Sequence, residues 1–206
     1  MASQRNTKEM HELYHKYQSK LEDISNYTGL NISKGVNALH LYDTLRVEKL
    51  YKLAIPDWVD FYWKDIKEIS DSLFQSFTSS PLVLRLRVGP LLHDIIQNMK
   101  MKINGNTPDL KVRMYSAHDI NIAAVLKALN FTNMPRPPYC ATLLFELHEM
   151  SDASMAVRLL YLNSTDPLAD IGEPHILELD GCSEFCTVEK FTKKVHHLIP
   201  DNWEEE

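Results

Sequence analysis

Apolar residues in the first 80 positions recur every three or four residues, the spacing of helices that bury one face. This pattern predicts one helix around residues 10–21, a second over 36–53 and a third with an apolar stripe over 66–77. Pro56 separates the second helix from the third, because proline ends one helix and can begin the next. The serine-rich run 78–81 predicts a loop and a domain boundary.

The remaining residues, 81–206, mix helical and strand periodicity. A helical pattern covers 91–99, and a turn cluster rich in asparagine and glycine follows it. A short apolar run at 111–115 predicts a strand that leads directly into a strongly apolar helix over 120–129. Since this strand is mostly apolar, we expect it to lie inside a sheet with a neighbour on each side.

Period-two alternation replaces the helical pattern further along the chain. Residues 140–148 alternate between two faces, which predicts a strand, and 155–162 is a second strand candidate. The polar residues 151–154 between them suit a hairpin turn, and a helix over 187–198 closes the pattern. Helices followed by such a mixed region predict an α/β protein with a helical segment, residues 1–80, beside a sheet domain.

The composition is that of a globular protein with a modest acidic charge. At 206 residues and 44% hydrophobic content, the chain can bury a core and form one or two domains. The net charge of −6 comes without a basic block, so no nucleic acid is expected as a partner. No apolar stretch reaches the roughly 18 residues that span a membrane. The polar N-terminal residues lack the apolar core of a signal peptide, which taken alone suggests a cytosolic protein.

Two further features favour a secretory route instead. Asn-x-Ser/Thr sequons make four asparagines candidates for glycosylation: Asn26, Asn31, Asn130 and Asn163. Cys182 and Cys186 are four residues apart, which favours a small-loop disulfide. A zinc site with His196 and His197 is the alternative, although adjacent histidines on a helix point about 100° apart. Such zinc sites space their histidines more widely, so no metal and no cofactor is predicted.

The residues with the clearest chemistry lie between the predicted strand and the apolar helix. His118 and Asp119 follow the strand at 111–115 and begin the helix over 120–129. Open α/β sheets bind ligands at this place, and the free N–H groups and dipole of a helix N-terminus favour an anion such as phosphate. His118 can donate hydrogen bonds to that anion, and Asp119 can protonate a leaving oxygen. The alternative is an ordinary helix N-terminus in which Asp119 only complements the dipole.

The surrounding stretch, MYSAHDINIAAVLKALN, resembles the second signature of the histidine acid phosphatases. Residues 41–45 and 53–58 are similar to the middle of the prostatic- and lysosomal-type members of that family, and 181–186 and 199–203 to their end. The similarity runs through most of the chain in one order. It implies an α/β fold with a phosphoglycerate-mutase-like sheet domain and a helical cap domain.

The resemblance also implies a function. Members of the family hydrolyse phosphomonoesters through a phosphohistidine intermediate and need no cofactor. By the same resemblance His118 binds phosphate and Asp119 is the proton donor. The implied partners are a phosphomonoester substrate, either a small molecule or a phosphoprotein, and a second copy of the chain in a homodimer. The implied location is extracellular or lysosomal.

One motif of the family has no counterpart in the sequence. The family nucleophile is a histidine in an Arg-His-Gly-x-Arg motif, and none of the nine histidines has that context. We therefore expect a C-terminal portion of such an enzyme, with 1–80 as a helical cap segment and 81–206 as the C-terminal part of the α/β phosphatase domain. The N-terminal segment would be missing, and the chain alone would be inactive. The alternative is a non-catalytic phosphatase-like protein that binds its ligand without turnover.

Cys140 is the odd cysteine. The resemblance to vertebrate members leads us to expect a partner within residues 45–48, which contain no cysteine. Cys140 is therefore expected to be a free, buried thiol at the start of a strand. A disulfide to the missing N-terminal segment is the alternative.

Overall fold

The computed structural model describes residues 8–34, 36–132, 134–163 and 173–200. The chain divides into two compact units, Met1–Ser79 and Ser80–Glu206. Within the described ranges, no helix has the length and apolar character needed to cross a membrane. Residues 201–203, which contribute to the family resemblance, lie outside the described residues.

The described part of the first unit is helical. It contains α1 (Lys8–Lys16), α2 (Gln18–Thr28), α3 (Asn37–Leu50) and α4 (Trp58–Ser76). The single helix predicted around residues 10–21 is two helices, because α1 ends at Lys16 and α2 begins after Tyr17. Gly29 then ends α2 with a φ of 70°, a left-handed conformation that glycine adopts without strain. The prediction of helices is confirmed for the described residues of this unit.

The core of the first unit uses the predicted apolar stripe of α4. Ile66 and Ile69 are buried on this helix, and Ile24 of α2 is buried as well. Burial of one apolar side chain per turn stabilises these helices more than their intrinsic propensities do.

The second unit combines helices with an antiparallel sheet. Its described elements are α5 (Pro81–Ile103), α6 (Asp119–Ala128), β1 (Thr142–Glu149), β2 (Met155–Leu162), β3 (His175–Ile176), β4 (Phe185–Thr187) and α7 (Val188–Val195). A short 3-10 turn, His196–Leu198, follows α7. This mixture of helices and sheet agrees with the predicted α/β class with a helical region.

The strands β1 and β2 form the predicted hairpin, in antiparallel register from Thr142 opposite Leu162 to Glu149 opposite Met155. Its turn is closed by the Asp152 carboxylate, which accepts hydrogen bonds from the Ser154 N–H and hydroxyl, and these bonds lower the pKa of Asp152. The short strands β3 and β4 add to β2 in antiparallel orientation. Neither was predicted, because two or three residues are too few to show a period.

The core of the second unit lies between the sheet and the helices. The face of β2 that carries Val157, Leu159 and Tyr161 is almost completely buried. It belongs to one hydrophobic cluster with α5, α6 and α7, which includes Leu92, Leu126 and Phe191 among others. Packing within this cluster holds the three helices against one another and the sheet.

The prediction of a strand at 111–115 is wrong. These residues have no strand partner and are exposed: Val112 is 71% and Met114 is 89% accessible to solvent. Among the described residues, no backbone hydrogen bond involves 111–117. A strand exists only when a neighbour pairs with its backbone, and an apolar composition does not supply that neighbour.

The predicted disulfide is present, whereas the prediction that Cys140 is buried is wrong. Cys182 and Cys186 form a disulfide with Cα atoms 5.2 Å apart, which excludes a zinc site made from these two sulfurs. Cys140 is a free thiol, but it is exposed rather than buried. The reason is that Cys140 occupies a turn with a φ of 58° before β1 begins at Thr142, so its side chain lies outside the sheet packing.

Helix α5 approaches the end of the chain very closely at Gly89. A β-carbon built on Gly89 would lie 2.2 Å from the carbonyl oxygen of Leu198 and 2.7 Å from Cδ of Pro200. Both atoms belong to rigid groups that have little freedom to move away. The absence of a side chain at position 89 is therefore a condition of this packing.

Replacing Gly89 with alanine is expected to lower the free energy of unfolding by roughly 1–3 kcal/mol through overpacking. The direction of the change distinguishes the two cases, because replacing glycine with alanine inside an unconstrained helix raises the free energy of unfolding by about 1 kcal/mol. Urea unfolding of the two proteins measures the difference. Gln97→Ala, at an exposed position of α5, is the matched control and should change stability by less than about 0.5 kcal/mol. A stabilised Gly89→Ala variant would contradict the close approach.

Candidate active site

The histidine and aspartate singled out in the sequence lie together at the first turn of α6. His118 is the N-cap, with extended backbone angles of −97° and 160°, and Asp119 is the first helical residue. The His118 carbonyl accepts the Asn121 N–H at 2.9 Å, while the Asn121 side-chain oxygen accepts the His118 N–H at 3.2 Å. This reciprocal pair fixes the entry of the chain into the helix.

The Asp119 carboxylate is bonded through both of its oxygens. Oδ1 accepts the N–H of Ile120 at 2.8 Å. Oδ2 accepts two bonds from Arg136, one from Nε at 3.2 Å and one from Nη2 at 3.1 Å. The Arg136 side chain is 18% exposed and that of Asp119 is 36% exposed. The carboxylate is therefore held in one orientation at the positive end of α6.

The segment before His118 is fixed to α5 by polar side chains. The Tyr115 hydroxyl donates to Oδ2 of Asp94 at 2.5 Å, and Nη1 of Arg113 donates to Oδ1 of Asn98 at 2.8 Å. The amide of Asn98 also donates to the Tyr115 hydroxyl at 3.1 Å. These four side chains form the anchor cluster, which attaches alternate residues of the segment before His118 to α5.

The beginning of α6 is suited to an anionic ligand. The helix dipole provides partial positive charge there, and the exposed His118 is a further donor. Asp119 supplies an acidic group in the same place. Among the described residues no three His, Cys, Asp or Glu side chains are grouped to hold a metal ion.

Arg136 was missed in the sequence. It follows Asp119 by 17 positions in an irregular loop, and no helical or strand spacing relates the two residues. The available signal was the proline-rich run 134–138, which indicates a loop of restricted conformation but not the direction of its arginine. The remaining sequence candidates, which are the disulfide cysteines and the four sequon asparagines, belong to other elements of the chain.

Comparison with known proteins gives a consistent set of relatives. Residues 3–162 match the family described as Histidine phosphatase superfamily (branch 2). Lysosomal acid phosphatase of Xenopus laevis is 28% identical over 92% of this chain and 44% of its own length. Venom acid phosphatase Acph-1 of Apis mellifera is 29% identical over 93% and 48%, and prostatic acid phosphatase of Rattus norvegicus is 30% identical over 79% and 42%. The chain spans less than half the length of these curated relatives.

The anchor cluster predicts a loss of stability at alkaline pH. Partial burial, followed by the hydrogen bond to the Asp94 carboxylate, raises the pKa of Tyr115 above its ordinary value of 10.0. Because the folded state holds this proton more tightly, the contribution is fully present below pH 10.0 and is lost as pH rises through the raised pKa.

Urea unfolding of wild type and Tyr115→Phe, which lacks only the hydroxyl, measures this contribution. We expect the wild type to be more stable by about 1 kcal/mol near neutral pH, which is less than a buried bond to a charged group contributes, because Tyr115 is partly exposed. The difference should shrink above about pH 10. A difference that stays constant through the alkaline range would remove the hydroxyl from the anchor cluster.

Proposed function

Because the chain belongs to branch 2 of the histidine phosphatase superfamily, we propose that it is the C-terminal part of an acid phosphatase that hydrolyses phosphomonoesters. The similarity to lysosomal, venom and prostatic acid phosphatases supports a phosphatase-like function. The observation that carries the proposal is the placement of His118 and Asp119 at the exposed N-terminus of α6. A small molecule or a phosphoprotein is the proposed substrate class.

The proposed reaction has two steps. A histidine of an Arg-His-Gly-x-Arg motif, which these 206 residues do not contain, attacks phosphorus and forms a phosphohistidine as the ester bond breaks. Asp119 gives its proton to the departing oxygen, and His118 donates a hydrogen bond to the phosphoryl group. Asp119, now ionised, accepts a proton from the water that attacks the phosphohistidine. Phosphate leaves, the histidine is free again and Asp119 has regained its proton.

A second candidate function is binding without turnover. None of the nine histidines lies between arginine and glycine, so this polypeptide by itself offers no nucleophile of the family type. The anion-binding end of α6 would still hold a phosphorylated ligand. An Arg-His-Gly-x-Arg codon run in the same reading frame upstream of residue 1 would favour the enzyme, and its absence would favour the binding protein.

We also propose the setting in which this protein works. The relatives named lysosomal and venom acid phosphatase support a lysosomal or extracellular location. All four sequon asparagines are exposed and therefore accessible to a glycosyltransferase: Asn26, Asn31, Asn130 and Asn163. In the complete enzyme the unit Met1–Ser79 would belong to the helical cap and Ser80–Glu206 to the sheet domain. A homodimer completes the proposal.

The 206-residue chain assayed alone is expected to show no turnover of p-nitrophenyl phosphate at acid pH, because it lacks the histidine that accepts the phosphoryl group. A longer product of the same gene that carries the motif should be active under the same conditions. Robust turnover by the short chain that disappears in His118→Ala would show that another residue is the nucleophile. An inactive longer product would contradict the proposed function itself.

In the motif-containing protein, Asp119→Asn should lower kcat by roughly 10²–10⁴-fold for alkyl phosphates, the usual contribution of a positioned general acid. The loss should be much smaller for p-nitrophenyl phosphate, since a nitrophenolate departs without a proton. Asp109→Asn makes the same chemical change at an exposed site and is the matched control. Equal losses for both esters would exclude Asp119 as the proton donor.

A further inference from the structure

The bonds to the Asp119 carboxylate leave only one of its oxygens able to exchange a proton. A carboxylate has about two acceptor positions on each oxygen. Arg136 uses two at Oδ2 through Nε and Nη2, and Ile120 uses one at Oδ1 through its backbone N–H. Within the described residues, one position on Oδ1 therefore remains for a proton or a ligand.

The loop that carries Arg136 is suited to holding a guanidinium in a fixed place. Pro135 and Pro137 flank the arginine, and proline fixes its own φ while restricting the residue before it to extended conformations. Pro137 is buried, so the loop is also attached to the unit by packing. A side chain presented in this way loses less freedom when it forms an ion pair than one on a mobile loop.

We propose that Arg136 is a positioning residue for the acid Asp119: it holds Oδ2, so that Oδ1 carries the proton and delivers it to the leaving-group oxygen. This inference rests on the proposed phosphatase function. In the first step the O–H bond at Oδ1 breaks as the bond between phosphorus and the leaving oxygen breaks. The leaving group departs as a neutral alcohol, the phosphoryl group is on the nucleophilic histidine, and Asp119 is left ionised and paired with Arg136.

Two other roles for Arg136 make different predictions. An arginine that contacts the phosphoryl group directly would be needed equally for every ester and for binding of inorganic phosphate. An arginine that only stabilises the fold would affect unfolding without changing the response to the leaving group. A positioning residue affects turnover only where a proton must be delivered, because a good leaving group departs without one.

The kinetic test uses the motif-containing protein with an alkyl phosphate and p-nitrophenyl phosphate as substrates. Arg136→Ala is expected to lower kcat for the alkyl ester by about 10–100-fold, the usual effect of losing an orienting partner, with kcat for the nitrophenyl ester within about twofold. Inhibition by inorganic phosphate should be unchanged. Arg136→Lys keeps the charge but not the two-pronged contact, and it should recover only part of the alkyl ester activity.

Arg158→Ala is the matched control, because Arg158 is a half-buried arginine of the same unit that pairs with Glu184 on the sheet. It should lower stability without changing the ratio of the two kcat values. Equal losses for both esters in Arg136→Ala, or weaker inhibition by phosphate, would overturn the positioning role while the phosphatase function stands. An inactive wild-type protein would remove the function and this inference with it.

A second measurement needs no activity. In the 206-residue chain, the Arg136 side-chain N–H signals should show hindered guanidinium rotation by nuclear magnetic resonance, because two of its N–H groups are held by one oxygen. Asp119→Ala should make that rotation faster, and Asp109→Ala should leave it unchanged. A freely rotating Arg136 in the wild type would overturn the inference whatever the kinetics show.

Discussion

Burial of one face of β2 organises the second unit. The other described strands all pair with β2, and its side chains Val157, Leu159 and Tyr161 are at most 2% exposed. Burying side chains of this size stabilises a fold by about 1.5–3 kcal/mol each, whereas exposed ion pairs contribute about 0–1 kcal/mol. Helix α6 contacts α5 and joins the same hydrophobic cluster through Ala124 and Leu126, so apolar packing positions this helix.

The chemistry at the start of α6 depends on that packing but is set by polar contacts. Packing brings the helix end to the surface, and the hydrogen bonds of His118 with Asn121 determine how the chain enters it. Arg136 then fixes the rotation of the Asp119 carboxylate. Hydrophobic burial is non-directional and can place a helix, but only directional bonds can orient an oxygen toward a reacting atom.

The exposed segment 111–117 fits the proposal that these residues belong to a longer enzyme. Its alternate residues Arg113 and Tyr115 are attached to α5, while Val112 and Met114 are exposed. Its backbone forms no hydrogen bond with the other described residues. Such an edge can accept a strand from another segment, and it promotes association when it is left open.

The sequence by itself determined the elements whose signals are local. Helical spacing predicted α4, and period-two alternation predicted β1. The four-residue separation of Cys182 and Cys186 predicted their disulfide. The position of His118 and Asp119 at a helix start was also predicted, because the helical pattern over 120–129 begins directly after them.

Only the tertiary structure decided what depends on residues distant in the sequence. The pairing of Arg136 with Asp119, the closeness of Gly89 to Leu198 and the exposure of Cys140 have no periodic signal. The run 111–115 was apolar enough for a strand, yet a strand also needs a neighbour's backbone groups. Sequence periodicity predicts which face of a helix or strand is buried. The packing of the whole unit decides which distant residues come into contact with it.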